Sequence, residues 1–361
     1  MDTAPFVEVM AHDCLHDSTI TFDTLVREVI RLHTTGARPQ SAHSPIPVAV
    51  IGAGHFGRCH ARQYLAHPDA RLVALVDTHP EAHPALTDTL PVPVARTLQD
   101  LPRPVQAASI ATPASTHYRV ARSLLRQGLH VLLEKPMTLT LKDADALTRL
   151  ARQHRVLLQP GLQERYVLHN LGLTGAGRPL RLHAIRCHPP MTRNTDCSVV
   201  HDLMMHDLDT LHTLNPAPVE HLSASGHRHH TAHADEVRAQ LRLDDGCEAL
   251  LEASRAADTA QRRLALTYAD GTLTLDFLAA TAVNLTGRAL GALTADPAPQ
   301  PLPEIDPLAR QIGDFLRAVR TGQPAPVTLA QARRALATAE AIQAHLPAPL
   351  THTRHRDTRH A

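Results

Sequence analysis

The chain has 361 residues, of which 43% are apolar and 20% charged, enough for two globular domains with a true core. Its 36 Lys plus Arg balance 35 Asp plus Glu, which excludes a general nucleic-acid binder working by displacement of phosphate counterions. No stretch of about 18 apolar residues is present to span a membrane, and Met1 to Ile30 mixes acids and His in a way unlike a signal peptide.

In chain order, residues 1–46 read as an extension and linker. Phe22, Leu25, Val26, Val29 and Ile30 share one face of a predicted helix, and Gly36–Pro47 carries three prolines. Short apolar strands are then predicted at Val48–Gly52, Leu72–Asp77, Ala107–Ala111, His130–Leu133 and Val156–Gln159, with helical periodicity between most of them, notably at Thr116–Gln127 and Leu141–His154. Alternation of this kind predicts a doubly wound parallel α/β sheet over residues 47–165.

The rhythm changes afterwards. Strands are predicted in close succession at Arg181–Cys187, Val237–Leu243, Cys247–Ser254, Arg263–Tyr268 and Thr272–Phe277. Asp244-Asp245-Gly246 and Asp270-Gly271 provide hairpin turns between adjacent pairs. Residues 166–303 therefore read as a mostly antiparallel open-sheet domain interrupted by one helix near Val199–Leu214. Pro307–Val319 and Leu329–His345 return to helical periodicity within a C-terminal segment 304–347, and 348–361 is a His- and Arg-rich tail.

Two biases weight the motifs. There are 27 His, so one His carries little information, whereas only two residues, Lys135 and Lys142, are lysine against 34 arginines. A Lys kept in such a chain marks a place where Arg does not serve, because a buried Lys can titrate and Arg does not. The five cysteines show no CxxC spacing, so neither a disulfide framework nor a zinc ribbon is expected and the chain reads as cytoplasmic.

Gly52-Ala53-Gly54-His55-Phe56-Gly57 fits G-x-G-x-x-G between a strand and a helix. Gly52 permits the tight turn, Gly54 the approach of a pyrophosphate, and Gly57 close packing of helix on strand. The free N–H groups and dipole of the helix N-terminus favour phosphate. Asp77, 20 residues after Gly57, ends the second strand, where a carboxylate bonds ribose hydroxyls and repels a 2′-phosphate. NAD is thus expected over NADP.

Glu134-Lys135-Pro136 ends another strand, so Lys135 is expected at the carboxyl edge of the sheet, beside the ligand crevice. Asp202 and His206, spaced i, i+4, would share a helix face, where the carboxylate can orient the imidazole and tune it as a general base. Asp207 and Asp209 are expected on other faces in structural roles. Metal chemistry at His201, Asp202 and His206 is the weaker reading, and no metal is expected.

Together, the glycine turn, Ala111-Thr112-Pro113 with His117, Glu134-Lys135-Pro136 and the Asp202/His206 pair resemble the Gfo/Idh/MocA oxidoreductases over residues 47 to 346. The likeness continues through Ser254-Arg255, Leu308–Phe315 and Gly322–Pro326. It implies His206 as base, Lys135 as a proton-relay or polarising group and Asp202 as an orienting or substrate-binding residue. It also implies Ala111, Thr112, Pro113, His117 and Glu134 near the cofactor, and a homodimer or homotetramer formed through the open sheet.

Asp196 through Asp209 and Gly161-Leu162-Gln163-Glu164-Arg165-Tyr166 look most like the branch acting on UDP-N-acetylglucosamine at C3, which feeds an aminotransferase in lipid A or surface-glycan synthesis. Leu162, where His is usual, and Val167-Leu168, where Asn-Pro is common, depart from that branch. Arg165, Tyr166 and Arg193 are the expected substrate contacts, the two arginines as diphosphate anchors. The alternatives are a dehydrogenase of a free sugar, inositol or other polyol, and a dinucleotide-sensing regulator without catalysis.

Overall fold

The computed structural model describes residues 44–82, 92–191 and 195–346. The expected helix at Phe22–Ile30, Arg193 and the basic tail lie outside the described residues. The chain enters through β1 (Ile46–Ile51), every residue of which is buried, as a central parallel strand covered on both faces requires. α1 (His55–Ala66), β2 (Ala70–Val76), the two-residue β3 (Val94–Ala95), β4 (Ala107–Ile110), α2 (His117–Arg126), β5 (His130–Glu134), α3 (Leu141–His154) and β6 (Leu158–Gly161) follow. Their strand order is β3-β2-β1-β4-β5-β6, parallel throughout.

Register explains how this sheet collects a site. Ile51 pairs with both Val76 and Ile110, so Gly52, Asp77 and Ala111 leave the same edge side by side. Leu133 pairs with Ile110, which brings Glu134 and Lys135 out next to them. Strand order reverses between β1 and β4, and the crevice at such a switch point is where doubly wound sheets bind ligands.

After α4 (Glu164–Asn170), the chain builds an eight-stranded sheet. β7 (Arg181–Cys187) precedes a π-helical turn at Val200–Met204 and α5 (Met205–Leu214). β8 (Val219–His227), β9 (Glu236–Leu243), β10 (Glu248–Ser254), β11 (Gln261–Tyr268), β12 (Gly271–Asp276), β13 (Thr281–Asn284) and β14 (Gln300–Pro301) then follow. The order is β14-β13-β12-β11-β7-β10-β9-β8, antiparallel except between β7 and β10. Strict in–out alternation along β9 shows one face packed and one facing solvent.

Four strands were not anticipated. β8 is an edge strand whose nine residues are all half-buried or exposed, so it lacks the apolar alternation that marks a strand in sequence. β3 and β14 have two residues each, too short for periodicity, and β13 has four. The expected helix at Val199–Leu214 begins as the π turn, which alters which side chains share a face.

The two C-terminal helices, α6 (Pro307–Thr321) and α7 (Leu329–Gln343), fold back across the molecule. Leu308, Ile312, Phe315 and Leu316 of α6 join Tyr64 of α1 and Val48 and Val50 of β1 in one apolar cluster. Ala335, Leu336 and Ala339 of α7 join Leu208 and Leu211 of α5 in the larger core. No helix of the described residues is long and apolar enough to cross a membrane.

Candidate active site

The glycine turn is shaped by three different constraints. Gly52 has φ +101°, and a Cβ there would lie 2.5 Å from the Ala111 carbonyl oxygen. At Gly57 a Cβ would come within 1.9 Å of the Gly52 carbonyl oxygen, so only glycine lets α1 sit this close to the turn. A Cβ on Gly54, by contrast, would meet nothing within 4 Å, leaving open space on the side where a pyrophosphate is expected. No side chain caps α1 and no acidic residue stands in its first turn, so its N–H groups remain available to an anion.

Asp77 closes this turn from β2. Its Oδ2 accepts the Ala53 N–H at 2.7 Å and its Oδ1 the His79 N–H at 2.8 Å, each oxygen keeping a lone pair for a ribose hydroxyl. Across the crevice, His117 presents Nε2 to the Thr112 carbonyl at 2.9 Å and Nδ1 to the Pro136 carbonyl at 2.7 Å. Burial lowers the His117 pKa despite those carbonyls, and a neutral ring donates to only one of them. Pro113 leads into the turn Ala114–Thr116. There the Ser115 N–H donates to Asp196 at 2.8 Å, tying the cofactor side to the segment before α5.

Glu134 is buried rather than open to the crevice. Its Oε1 contacts His60 Nε2 at 3.1 Å and accepts from Gln311 at 3.3 Å. His60 in turn stacks edge-on against Phe56, with ring centroids 5.6 Å apart, while His55 opens α1. Gly161 makes this buried carboxylate possible, since a Cβ there would come 2.7 Å from Glu134 Oε1.

Lys135 reaches the π turn. Its Nζ donates to the Asp202 backbone oxygen at 2.7 Å and to Asp202 Oδ1 at 2.9 Å, leaving one N–H. Burial pulls the ammonium pKa down, but the charge and hydrogen bond of Asp202 outweigh it and the net direction is up. Lys135 therefore stays charged at neutral pH, against the expectation that a buried lysine here would titrate toward neutrality. Beside it, burial lifts the Cys197 thiol to about 12.

Asp202 consequently faces Lys135, not His206 as the i, i+4 spacing predicted. His206 has a buried Nδ1 without a hydrogen-bond partner. Burial drives its pKa well below 6.5, reinforced by Arg186, Lys135 and Arg262 and opposed by Glu164. The ring is thus neutral near pH 7 and able to accept a proton.

Sequence reasoning missed the charges around it. Arg186 of β7 and Arg262 of β11 are direct cross-strand partners, an unfavourable pairing unless bridged. Glu164 supplies the bridge: its Oε1 accepts from Arg186 at 3.4 Å and from Arg262. Asp207 accepts from Arg186 Nη2 at 2.9 Å. Among 34 arginines, nothing local singled out these two. Their signal lies in the paired register of strands that only the fold brings together.

Of the expected substrate contacts, Arg165 is committed elsewhere. Its Nε and Nη2 form a forked ion pair with Asp209, and both side chains are buried. That pairing assigns Asp209 the structural role expected of it and removes the guanidinium edge that a diphosphate would use. Tyr166 is buried in the core with its hydroxyl toward Asp314 of α6, and burial raises its pKa. Arg193 lies outside the described residues. Arg255, carried by the Ser254-Arg255 likeness, holds Asp235 at 2.7 Å and the Cys197 carbonyl at 2.7 Å. No group of three or more His, Cys, Asp or Glu among the described residues is arranged to hold a metal ion.

Comparison with known proteins identifies the family. Residues 46–162 match the Gfo/Idh/MocA oxidoreductase family with its NAD-binding Rossmann fold, and 177–274 match the Gfo/Idh/MocA C-terminal domain. UDP-N-acetylglucosamine 3-dehydrogenase of Acidithiobacillus ferrooxidans is 34% identical over 296 residues, covering 80% of this chain and 94% of that one. A solved structure of that enzyme, GnnA, superposes with a TM-score of 0.75 at 32% identity, over 84% of this chain and 98% of its own. Myo-inositol dehydrogenase Hyg17 of Streptomyces leeuwenhoekii is 30% identical over 226 residues, 58% of this chain and 69% of that one. GenD2 from gentamicin A biosynthesis, solved in complex with NAD, shares the fold with a TM-score of 0.70 at 22% identity, over 85% of this chain and 96% of its own. The chain belongs to the Gfo/Idh/MocA oxidoreductases, and residues 46–162 form its NAD-binding Rossmann domain.

Proposed function

We propose that this protein oxidises a secondary hydroxyl of a nucleotide-linked sugar with NAD, most specifically C3 of UDP-N-acetylglucosamine, giving the 3-keto sugar. The observation that carries the reading is the Lys135–Asp202 pair, which leaves the same edge of the sheet as the glycine turn, together with a neutral His206 four residues after Asp202. The 34% identity to the Acidithiobacillus enzyme, over nearly its whole length, supports the substrate. Residues 47–165 would bind NAD, 166–303 the sugar and a second copy of the chain, and 304–347 brace the two sheets.

Gly52, Gly54, Gly57 and the start of α1 at His55 and Phe56 would hold the pyrophosphate, and Asp77 the adenosine ribose. Ala111, Thr112, Pro113 and His117 would line the nicotinamide end, with Glu134 fixing the strand beneath it. Bound nicotinamide supplies the acceptor for the hydride leaving the sugar carbon. His206 takes the hydroxyl proton, for which its neutral ring is suited. Lys135, held charged by Asp202, turns its remaining N–H to the same oxygen and stabilises the negative charge that grows there as the proton leaves. One C–H and one O–H bond break, and one C=O bond forms. Tyr166, buried in the core, is given no direct contact with the sugar, and Arg193 remains the proposed diphosphate anchor.

The keto product suits a downstream aminotransferase making a diamino sugar for lipid A or another surface glycan. The solvent face of the eight-stranded sheet would form a homodimer or homotetramer. Work in the cytoplasm fits the four free cysteines among the described residues.

A free polyol is the second reading, favoured by the commitment of Arg165 to Asp209 and by the likeness to Hyg17. Stoichiometric enzyme mixed with NAD and each of UDP-N-acetylglucosamine, free N-acetylglucosamine and myo-inositol separates the two. NADH fluorescence in one turnover is expected with the nucleotide sugar. A burst only with an unlinked sugar or inositol overturns the substrate assignment.

A further inference from the structure

The segment that enters the π turn is tied to both domains. On the side of the second domain, Arg255 Nη2 donates to the Cys197 carbonyl at 2.7 Å and the Val199 N–H to the Ala234 carbonyl at 3.0 Å. Towards the Rossmann sheet it has a tie at each end. Asp196 Oδ2 accepts the Ser115 N–H at 2.8 Å, and Asp202 takes Lys135 Nζ on its backbone oxygen at 2.7 Å and on Oδ1 at 2.9 Å. Ser115 follows β4 and Lys135 follows β5, neighbouring strands paired at Ile110 and Leu133. Residues 196–202 therefore form a strap across adjacent strand ends. The two anchor points also belong to one frame, because the His117 ring lies between the Thr112 carbonyl at 2.9 Å and the Pro136 carbonyl at 2.7 Å. Ser115, His117, Pro136, Lys135, Asp202 and Asp196 thus close a ring of ties.

We propose that Asp196 is a positioning residue for the Lys135–Asp202 pair: by holding the Ser115 N–H it fixes the strap where the Asp202 backbone oxygen and carboxylate meet the ammonium. This inference rests on the reading that Lys135 serves turnover. One of the two contacts on Lys135 is a backbone oxygen, whose place is set by the run of the chain and not by a side-chain rotamer. Asp196 stands six residues upstream of it. The shorter the free run between two fixed points, the fewer positions the chain between them can take. Asp196 needs no contact with sugar or cofactor to act in this way. Its side chain is half-buried and Ser115 is exposed, so breaking the bond should leave the fold standing.

Two measurements test the strap. In the apo protein, Asp196→Ala should quicken amide hydrogen exchange over residues 197–206. Asp196→Asn, whose amide oxygen still accepts the Ser115 N–H, should keep it near the native rate. In single turnover with NAD, Asp196→Ala should slow NADH formation by about ten- to a hundred-fold, as a displaced catalytic group does, at unchanged Kd for NAD. Asp196→Asn should restore most of that loss. The sugar is UDP-N-acetylglucosamine, or free N-acetylglucosamine or myo-inositol where one of those gives the native burst. In a Lys135→Ala background, Asp196→Ala should slow the residual turnover no further, because the pair it positions is already gone, whereas a general packing role would multiply the two losses. Asp196→Glu, which keeps the charge but lengthens the arm, replaces Asp196→Ala if that variant does not fold, with the same slowing expected. The proposal is overturned if exchange or turnover in Asp196→Ala matches the native protein, or if Asp196→Asn is as slow as Asp196→Ala. It is equally overturned if the loss persists in full without Lys135, or if Asp196→Ala weakens NAD binding with kcat intact. Normal turnover in Lys135→Ala alone defeats the reading of that lysine, and hydrogen exchange then decides the strap by itself.

Discussion

Alanine at Gly54 and at Gly57, tested one at a time, separates the two demands placed on the glycine turn. At Gly57 the added Cβ would stand 1.9 Å from the Gly52 carbonyl oxygen, where ordinary contact begins at 3.4 Å, so α1 must retreat by about 1.5 Å. Overpacking of this kind costs about 1–3 kcal/mol, and at about 2–4 °C per kcal/mol the apo Tm should fall by roughly 2–12 °C. At Gly54 the backbone has φ −60° and ψ −178°, which alanine adopts freely, and its Cβ meets no protein atom within 4 Å. Stability there should hold or rise by about 0.4–1 kcal/mol, through the stiffer unfolded chain. The methyl would instead occupy space expected of the pyrophosphate, and a loss of about 1.4–2.8 kcal/mol weakens NAD ten- to a hundred-fold. Thermal unfolding of the apo proteins and calorimetric titration with NAD read the two effects independently. Wild-type NAD affinity in Gly54→Ala, with the fold intact, would refute the placement of the cofactor.

Lys135→Ala should lower kcat by about 10²–10⁴-fold while leaving the Kd for NAD unchanged, because Lys135 faces Asp202 and not the glycine turn. A variant that turns over normally contradicts the role given to this lysine. Because burial and neighbouring cations depress the His206 pKa, the base is lost only as pH falls through a value below 6.5. The kcat/KM profile of the native enzyme should accordingly be flat through pH 6.5 and decline below it, and a limb centred at or above 6.5 contradicts the site electrostatics. Arg165→Ala leaves Asp209 buried without its cation and should cost about 3–5 kcal/mol of stability with little change in substrate KM. A raised KM at unchanged Tm would return Arg165 to the substrate site.

How far the sequence carries depends on whether a feature is local. β1, β4 and α3 declare themselves because buried parallel strands read as unbroken apolar runs and α3 keeps its apolar residues at helical spacing. The glycine turn, Asp77 and Lys135 are equally legible, since each is tied to a strand end that periodicity locates. β8 is not, because an exposed edge strand has no face to bury. The Asp202/His206 reading erred for a related reason: helical spacing places two side chains on one face but says nothing of a stronger partner approaching from β5. Lys135 was that partner, and the π turn carried Asp202 to it. Glu164, Arg186 and Arg262 come from three elements far apart in sequence, and their cluster exists only once β7 and β11 pair.

Single turnover of UDP-N-acetylglucosamine carrying deuterium at C3, with stoichiometric enzyme and NAD, tests the central claim most directly. Deuterium should appear in the reduced nicotinamide, with a slowed burst relative to unlabelled sugar, and label at C4 should stay on the sugar. Reduced cofactor free of deuterium from the C3-labelled substrate, or label transferred from another carbon, would contradict C3 oxidation.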